Sequence, residues 1–344
     1  MLKKRVGYYV CIMLALILLT IVGGCAPAAQ EPAAPAVKDD ALVKDEIVTL
    51  KMATAWAEHV VWNDAFWMFV ERIGEKSGGR VKFEYAGGPE AFPPFELIEA
   101  VRKGVVDVAS IPGAFYVPQL PEADAMKLSQ LTPWEERESG AYDLLKQLHK
   151  DKTNTFYLGR VTPNIPFHLY TNVKLDRPDL QGLTVRVTPV YHAMVEALGG
   201  AAVTMAPGEV YTALEQGVVD AYGWPAIGIA DFGWEEVTKY VIDPGFYQVD
   251  VNILMNLDTW NRLPEDIKQL FSETILEIEQ MAAEHYGNLL KEDRRLLLDK
   301  GIEVIRFSAA DEALYLQKAY EAGWQSVLAN SPVHGPQLKE LLSK

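Results

Sequence analysis

The chain has 344 residues, 49% hydrophobic, 10% aromatic and 23% charged. That is enough for two domains of ordinary size or one large one, and too apolar for global disorder. A net charge of −15 argues against non-specific nucleic-acid binding, which depends on neutralising phosphates. Both cysteines, Cys11 and Cys25, fall within the first 25 residues, so the rest of the chain holds no disulfide and no thiolate metal site. The 6 histidines are scattered, with no HExxH or HxH spacing.

The N-terminus reads as an export segment. Lys3, Lys4 and Arg5 precede an apolar run of 13 residues, 10–22, too short to span about 30 Å of hydrocarbon comfortably. Val22-Gly23-Gly24-Cys25 then resembles a bacterial lipobox, which makes residues 1–24 a signal peptide and Cys25 the lipidated first residue of the mature chain. Residues 25–46 are Ala/Pro-rich and read as a tether. Without residues 1–24, 29 basic residues face 47 acidic ones, a net charge of −18.

The body begins with an alternating strand, Ile47–Ala53, and an aromatic-rich helix, His59–Ser77, closed by Gly78-Gly79. A strand at Arg80–Tyr85, a Gly/Pro loop, a helix at Phe95–Lys103 and an apolar strand at Val105–Ser110 follow. This strand–helix alternation predicts a parallel α/β sheet. The segment Glu96–Ser110 (ELIEAVRKGVVDVAS) recurs as Glu209–Gly223 (EVYTALEQGVVDAYG), with 6 of 15 positions identical. Each copy reads as a helix ending at a glycine, then a buried strand that starts with Val-Val. The repeat predicts two similarly built lobes that present strand ends to a shared crevice, where open α/β sheets bind ligands. Asp179–Val187 reads as a turn and strand, and Val190–Leu198 as a helix. Leu263-Pro264-Glu265-Asp266 starts a helix that runs to about Lys300, roughly 50 Å and longer than one small lobe. Gly301–Phe307 reads as a strand and Asp311–Ala329 as a terminal helix.

DLQGLTVRV, GEVYTALEQGVVDAYGWP, EVTKY and LPEDIKQLF, in this order and spacing, resemble the DctP-type substrate-binding proteins of TRAP transporters over about residues 47–330. The resemblance implies an α/β, two-lobe periplasmic-binding-protein-like fold, with two α/β domains joined by hinge strands and a long spanning helix. Lobe I is placed at 47–162 with about 249–285, and lobe II at 163–248 with about 286–344. It also implies an extracytoplasmic receptor, periplasmic or on the cell surface, that is not an enzyme. Such a receptor binds an organic carboxylate between closing lobes and delivers it to membrane subunits. The lipid on Cys25 would hold it at the membrane, and it would act as a monomer. An ABC-type solute receptor and a ligand-sensing subunit remain alternatives. No GxSxG, HExxH, phosphate loop or cysteine nucleophile supports catalysis.

Arg186 carries the family's carboxylate-binding role, and strand alternation sets it on the face opposite Val185 and Val187. A second arginine found in some branches is replaced by Phe167, followed by His168. A branch that binds 2-oxo acids with a metal ion has Glu-Trp after the second GVVD segment. Here Gly223 precedes Trp224, so no bound metal and no cofactor is expected. Aromatic residues expected in strand-end loops complete the candidate site: Trp56, His59, Phe115, Tyr116, Phe167, His168, Tyr170, Tyr222 and Trp224, with Asn252 and Tyr247 as weaker candidates. Trp62, Phe66, Trp67 and Phe69 read as helix core. The aromatic set favours a monocarboxylate with an apolar or aromatic portion.

Overall fold

Strands alternate with helices from the start, and the computed structural model, which describes residues 47–344, forms two sheets from them. Cys25, the export segment and the tether lie outside the described residues. In chain order the elements begin β1 Val48–Thr54, α1 Asp64–Lys76, β2 Val81–Gly87, α2 Leu97–Arg102 and β3 Val108–Pro112. Then come α3 Pro133–Ser139, α4 Ala141–Thr153, β4 Thr155–Arg160 and β5 Phe167–Thr171. The next are β6 Thr184–Val187, α5 His192–Ala197, β7 Ala201–Thr204, α6 Val210–Glu215 and β8 Ala221–Pro225. The chain closes with β9 Tyr240–Asp243, β10 Val251–Asn256, α7 Leu257–Arg262, α8 Glu265–Asp299, β11 Glu303–Arg306, α9 Ala309–Asn330 and α10 Gly335–Leu342.

The first sheet has the order β2-β1-β3-β10-β4 and the second β11-β9-β5-β8-β6-β7. Each contains the same parallel unit. β1 lies between β2 and β3, and β6 lies between β7 and β8, all four pairs parallel. The sheets are mixed rather than wholly parallel, because β10 runs antiparallel to β3 and β4, and β5 antiparallel to β8 and β9.

The sequence repeat is a structural repeat. Gly104 and Gly217 take φ +70 and +67, the left-handed cap that glycine tolerates. In both copies the next two amides bond back into the helix, Val105 and Val106 to Ala100 O, Val218 and Val219 to Ala213 O. Those amides are therefore unavailable to a sheet, and the strands start later, at Val108 and Ala221. The first valine of each pair is exposed (Val105 55%, Val218 56%) and only the second is buried, which corrects the expectation of a strand beginning at Val-Val. The aspartates have a shared job as well: Asp107 Oδ2 accepts from Lys51 N and Asp220 Oδ2 from Thr184 N, each at 2.8 Å.

Two segments, 161–166 and 244–250, cross between the sheets. They bond to each other where Val249 N donates to Ile165 O at 2.9 Å, and Val161 N donates to Val251 O at the start of β10, also at 2.9 Å. Helix α8 is 35 residues long, about 52 Å at 1.5 Å per residue. Its first half packs Phe271 on Phe69 of α1 and pairs Glu279 with Arg137 of α3. Its second half reaches the other sheet, where Asp293 accepts from Gly228 N at 2.6 Å and Arg294 pairs with Asp243 at 2.5 Å. Among the described residues no helix is long and apolar enough to cross a membrane.

Candidate functional site

The carboxyl ends of β1, β3, β6 and β8 meet at one cavity of about 40 Å³, room for roughly three waters at 10–15 Å³ of such volume each. From the first sheet's side come Trp56, Trp62, Pro112, Phe115, Asp250 and Val251. From the second come Phe167, Thr188, Tyr191, Trp224 and Pro225. A carboxylic acid with a ring enters this space only after the walls part. Five residues of the lining carry a buried polar atom with no hydrogen-bond partner among the described residues: Trp56, Trp62 and Trp224 through Nε1, Tyr191 through its hydroxyl and Asp250 through Oδ2. Indole nitrogens only donate, and buried groups of this kind are normally satisfied, so the wall is chemically unsaturated.

Arg186 stands behind Trp224. It is 0% exposed, with Val185 and Val187 buried on the opposite face of β6. Its Nε and Nη2 donate to Met205 O at 3.0 and 2.7 Å, and Nη1 to Gly223 O at 3.2 Å. The guanidinium lies 5.7 Å from the ring centres of both Trp224 and Trp234. Burial lowers its pKa to about 10, while Tyr191, Tyr222 and Glu209 favour its charge without contacting it. None of its hydrogen bonds is to a carboxylate. Three of its five N–H donors face carbonyls, and the side chain does not itself line the cavity.

Strand alternation sorts the remaining candidates. Phe167, His168 and Tyr170 lie within β5, and Tyr222 and Trp224 within β8, rather than in loops. Phe167 reaches the cavity, but its neighbour His168 turns to the other face, against α8, with Nδ1 2.8 Å from Ile242 O. Burial depresses the pKa of His168. Tyr170 shares that face and stacks on Tyr222, whose hydroxyl meets Thr238. The hydroxyl of Tyr116 pairs with His149 Nε2 at 3.0 Å and accepts from Asn252 Nδ2 at 3.1 Å, under the first sheet rather than at the cavity. Tyr247 donates to Ala319 O at 2.5 Å and acts as packing. His59 is exposed and does not line the cavity.

Trp56, Phe115, Phe167 and Trp224 are thus brought together. Trp62 joins them, against the expectation of helix core, because the chain makes a 3-10 turn at Val61–Asn63 before α1 begins. Asp250 and Tyr191 were not singled out in the sequence. The signal for Asp250 is a lone acid in the apolar stretch Val249–Ile253, all of it buried. Tyr191 lies flat against Gly223, where an added Cβ would stand 2.5 Å from the ring. Among the described residues no cluster of three or more His, Cys, Asp or Glu could hold a metal ion.

The family model for DctP, bacterial extracellular solute-binding protein, family 7, matches residues 52–330. A monocarboxylate 2-oxoacid-binding periplasmic protein of Nostoc sp. is 23% identical over 273 residues, 76% of this chain and 74% of that one. A TRAP periplasmic solute-binding protein from Desulfovibrio salexigens, solved with orotic acid, superposes with a TM-score of 0.76 at 21% identity, covering 86% of this chain and 97% of that one. DctP7 of Bordetella pertussis, an extracytoplasmic solute receptor binding pyroglutamic acid, gives 0.75 at 18% identity, over 86% and 99% of the two chains. At these identities the superpositions establish the two-lobe fold.

Proposed function

This chain belongs to bacterial extracellular solute-binding protein family 7, a family of receptors rather than enzymes, and on that footing we propose that its ligand is a small monocarboxylate with an apolar or planar body. The observation that carries this reading is Arg186, a fully buried guanidinium with no carboxylate partner behind an aromatic cavity. A ligand carboxylate supplies the missing countercharge and takes the two remaining N–H groups. Trp56, Trp62, Phe115, Phe167 and Trp224 enclose the body of the acid and exclude water, which strengthens the ion pair. The lobes open about segments 161–166 and 244–250 to admit it and close to retain it. Held at the membrane through Cys25, the monomeric receptor passes the acid to TRAP membrane subunits.

The surface charge of −18 in the mature chain does not oppose this, because exposed charges are screened within about 8 Å at physiological salt. A thermal-shift panel of organic acids tests the proposal. A ligand at 100 times its dissociation constant stabilises the closed form by about 2.7 kcal/mol. Planar or apolar monocarboxylates are expected to raise the melting temperature most. A larger rise with sugar acids such as galactonate or glucuronate would overturn the aromatic-pocket reading.

A further inference from the structure

Most charges behind the first sheet's wall are paired. Arg160 meets Glu136 at 2.7 Å, and Lys127 meets Asp124 at 2.5 Å. Asp250 is the acid left over. It is 1% exposed, lies on the crossing segment just before β10, and lines the cavity. Its Oδ2 sits in the notch left by Gly113, where an added Cβ would stand 2.1 Å away. No donor among the described residues reaches that oxygen with hydrogen-bond geometry, although the Gly113 amide faces the carboxyl.

A buried oxygen without a donor is costly to maintain. Behind the opposite wall, covered by Trp224 and not itself lining the cavity, Arg186 shows the complementary condition, with N–H donors and no acid. The other unpartnered atoms of the lining are three indole N–H groups and one tyrosine hydroxyl. Three of these can only donate, which suits carbonyl oxygens of a ligand. Asp250 is the one carboxyl acceptor among them.

We propose that Asp250 accepts a hydrogen bond from the ligand, so that the preferred ligand is a compact carboxylate that also bears an N–H group, with its carboxylate toward Arg186 and its N–H toward Asp250. Lactams, imides and amino acids share this bipolar pattern. Simple fatty or aromatic acids lack it. The inference rests on the carboxylate-receptor reading above and narrows it to donor-bearing acids.

Calorimetry with a matched pair tests it. Pyroglutamate carries a lactam N–H. Its lactone counterpart, 5-oxotetrahydrofuran-2-carboxylate, places an oxygen at the same ring position. The wild-type receptor is expected to prefer the lactam by about tenfold or more. Asp250→Ala is expected to bring the pair together by weakening the lactam alone. Asp250→Asn, close in volume, keeps an acceptor and is expected to retain part of the preference, which separates loss of the acceptor from loss of packing. Equal affinities in the wild type, a preference that survives Asp250→Ala, or tightest binding of an acid without N–H would each overturn the inference while leaving a carboxylate receptor standing. If no carboxylic acid in the panel binds, the receptor reading falls together with it.

Discussion

Two arginines are fully buried among the described residues, and they are satisfied in opposite ways. Arg160, at the end of β4, faces Glu136 through Nη2 at 2.7 Å and donates to Leu131 O at 2.8 Å and Gln248 Oε1 at 3.2 Å. Gln248 belongs to one crossing segment and Thr162, whose carbonyl accepts from the same Nη1 at 3.5 Å, to the other, so Arg160 ties the two crossings together. Burial works against its charge, but Glu136 outweighs that and its pKa is raised. Arg186 has carbonyl oxygens in place of a carboxylate, and its pKa falls to about 10 under the same desolvation. Burial alone therefore does not mark a binding residue. The missing counter-ion is what supports the proposed role of Arg186.

The contrast can be broken most forcefully at Arg160. Arg160→Ala leaves Glu136 buried and unpaired, and the protein should lose about 3–5 kcal/mol of stability with or without ligand. Replacing both partners, Arg160→Met with Glu136→Met, should recover most of that in denaturant unfolding. Arg186→Ala is expected to behave in reverse. Stability of the unliganded receptor should hold, while calorimetry finds the acid bound about 30-fold more weakly or worse. Near-native affinity in that variant would remove Arg186 from the site. Trp224→Ala comes next and should weaken planar or apolar acids by about tenfold while small dicarboxylates lose less. Equal losses across both classes would count against the aromatic wall.

The smallest expected effect is on pH dependence. Burial pushes the Asp250 carboxyl up to about 8 from 3.8; Arg160 and Lys127 pull it down, and Asp124 pushes it up. Between those two values the folded state keeps a proton that the unfolded chain has released, so this residue withdraws stability as pH rises from about 4 to about 8. Unliganded Asp250→Asn should therefore gain on the wild type across that window, by at least about 1 kcal/mol at its upper end. Arg186, charged throughout the same range, adds no slope of its own.

Much of the architecture was legible in the sequence. The repeat found both parallel units, and the Pro264 start and Gly301 stop bounded α8 closely. Arg186 was legible because alternation between two valines fixes its face. The strand frame after each GVVD segment was not legible. β-branched valines suit a strand, but whether their amides bond to the next strand or back to Ala100 and Ala213 is decided by the helix cap. That shift moved Tyr222 and Trp224 from a loop into β8. Strands β4, β5, β9 and β10 were missed because their pairing is non-local, and β7 was missed as well, a four-residue strand at the sheet edge. Asp250 depends on β10 and on the notch at Gly113, so no local pattern announced it.

Gly223 constrains how this site can change over generations. Here any side chain at 223 collides first with the ring of Tyr191, so a substitution there deforms the cavity wall before it adds a ligand atom. Tyr191 would have to shrink beforehand, a change that opens the wall with no ligand yet to fill it. The two steps are each unfavourable alone and useful only together. A larger side chain at 223 and a smaller one at 191 would therefore have to arrive together.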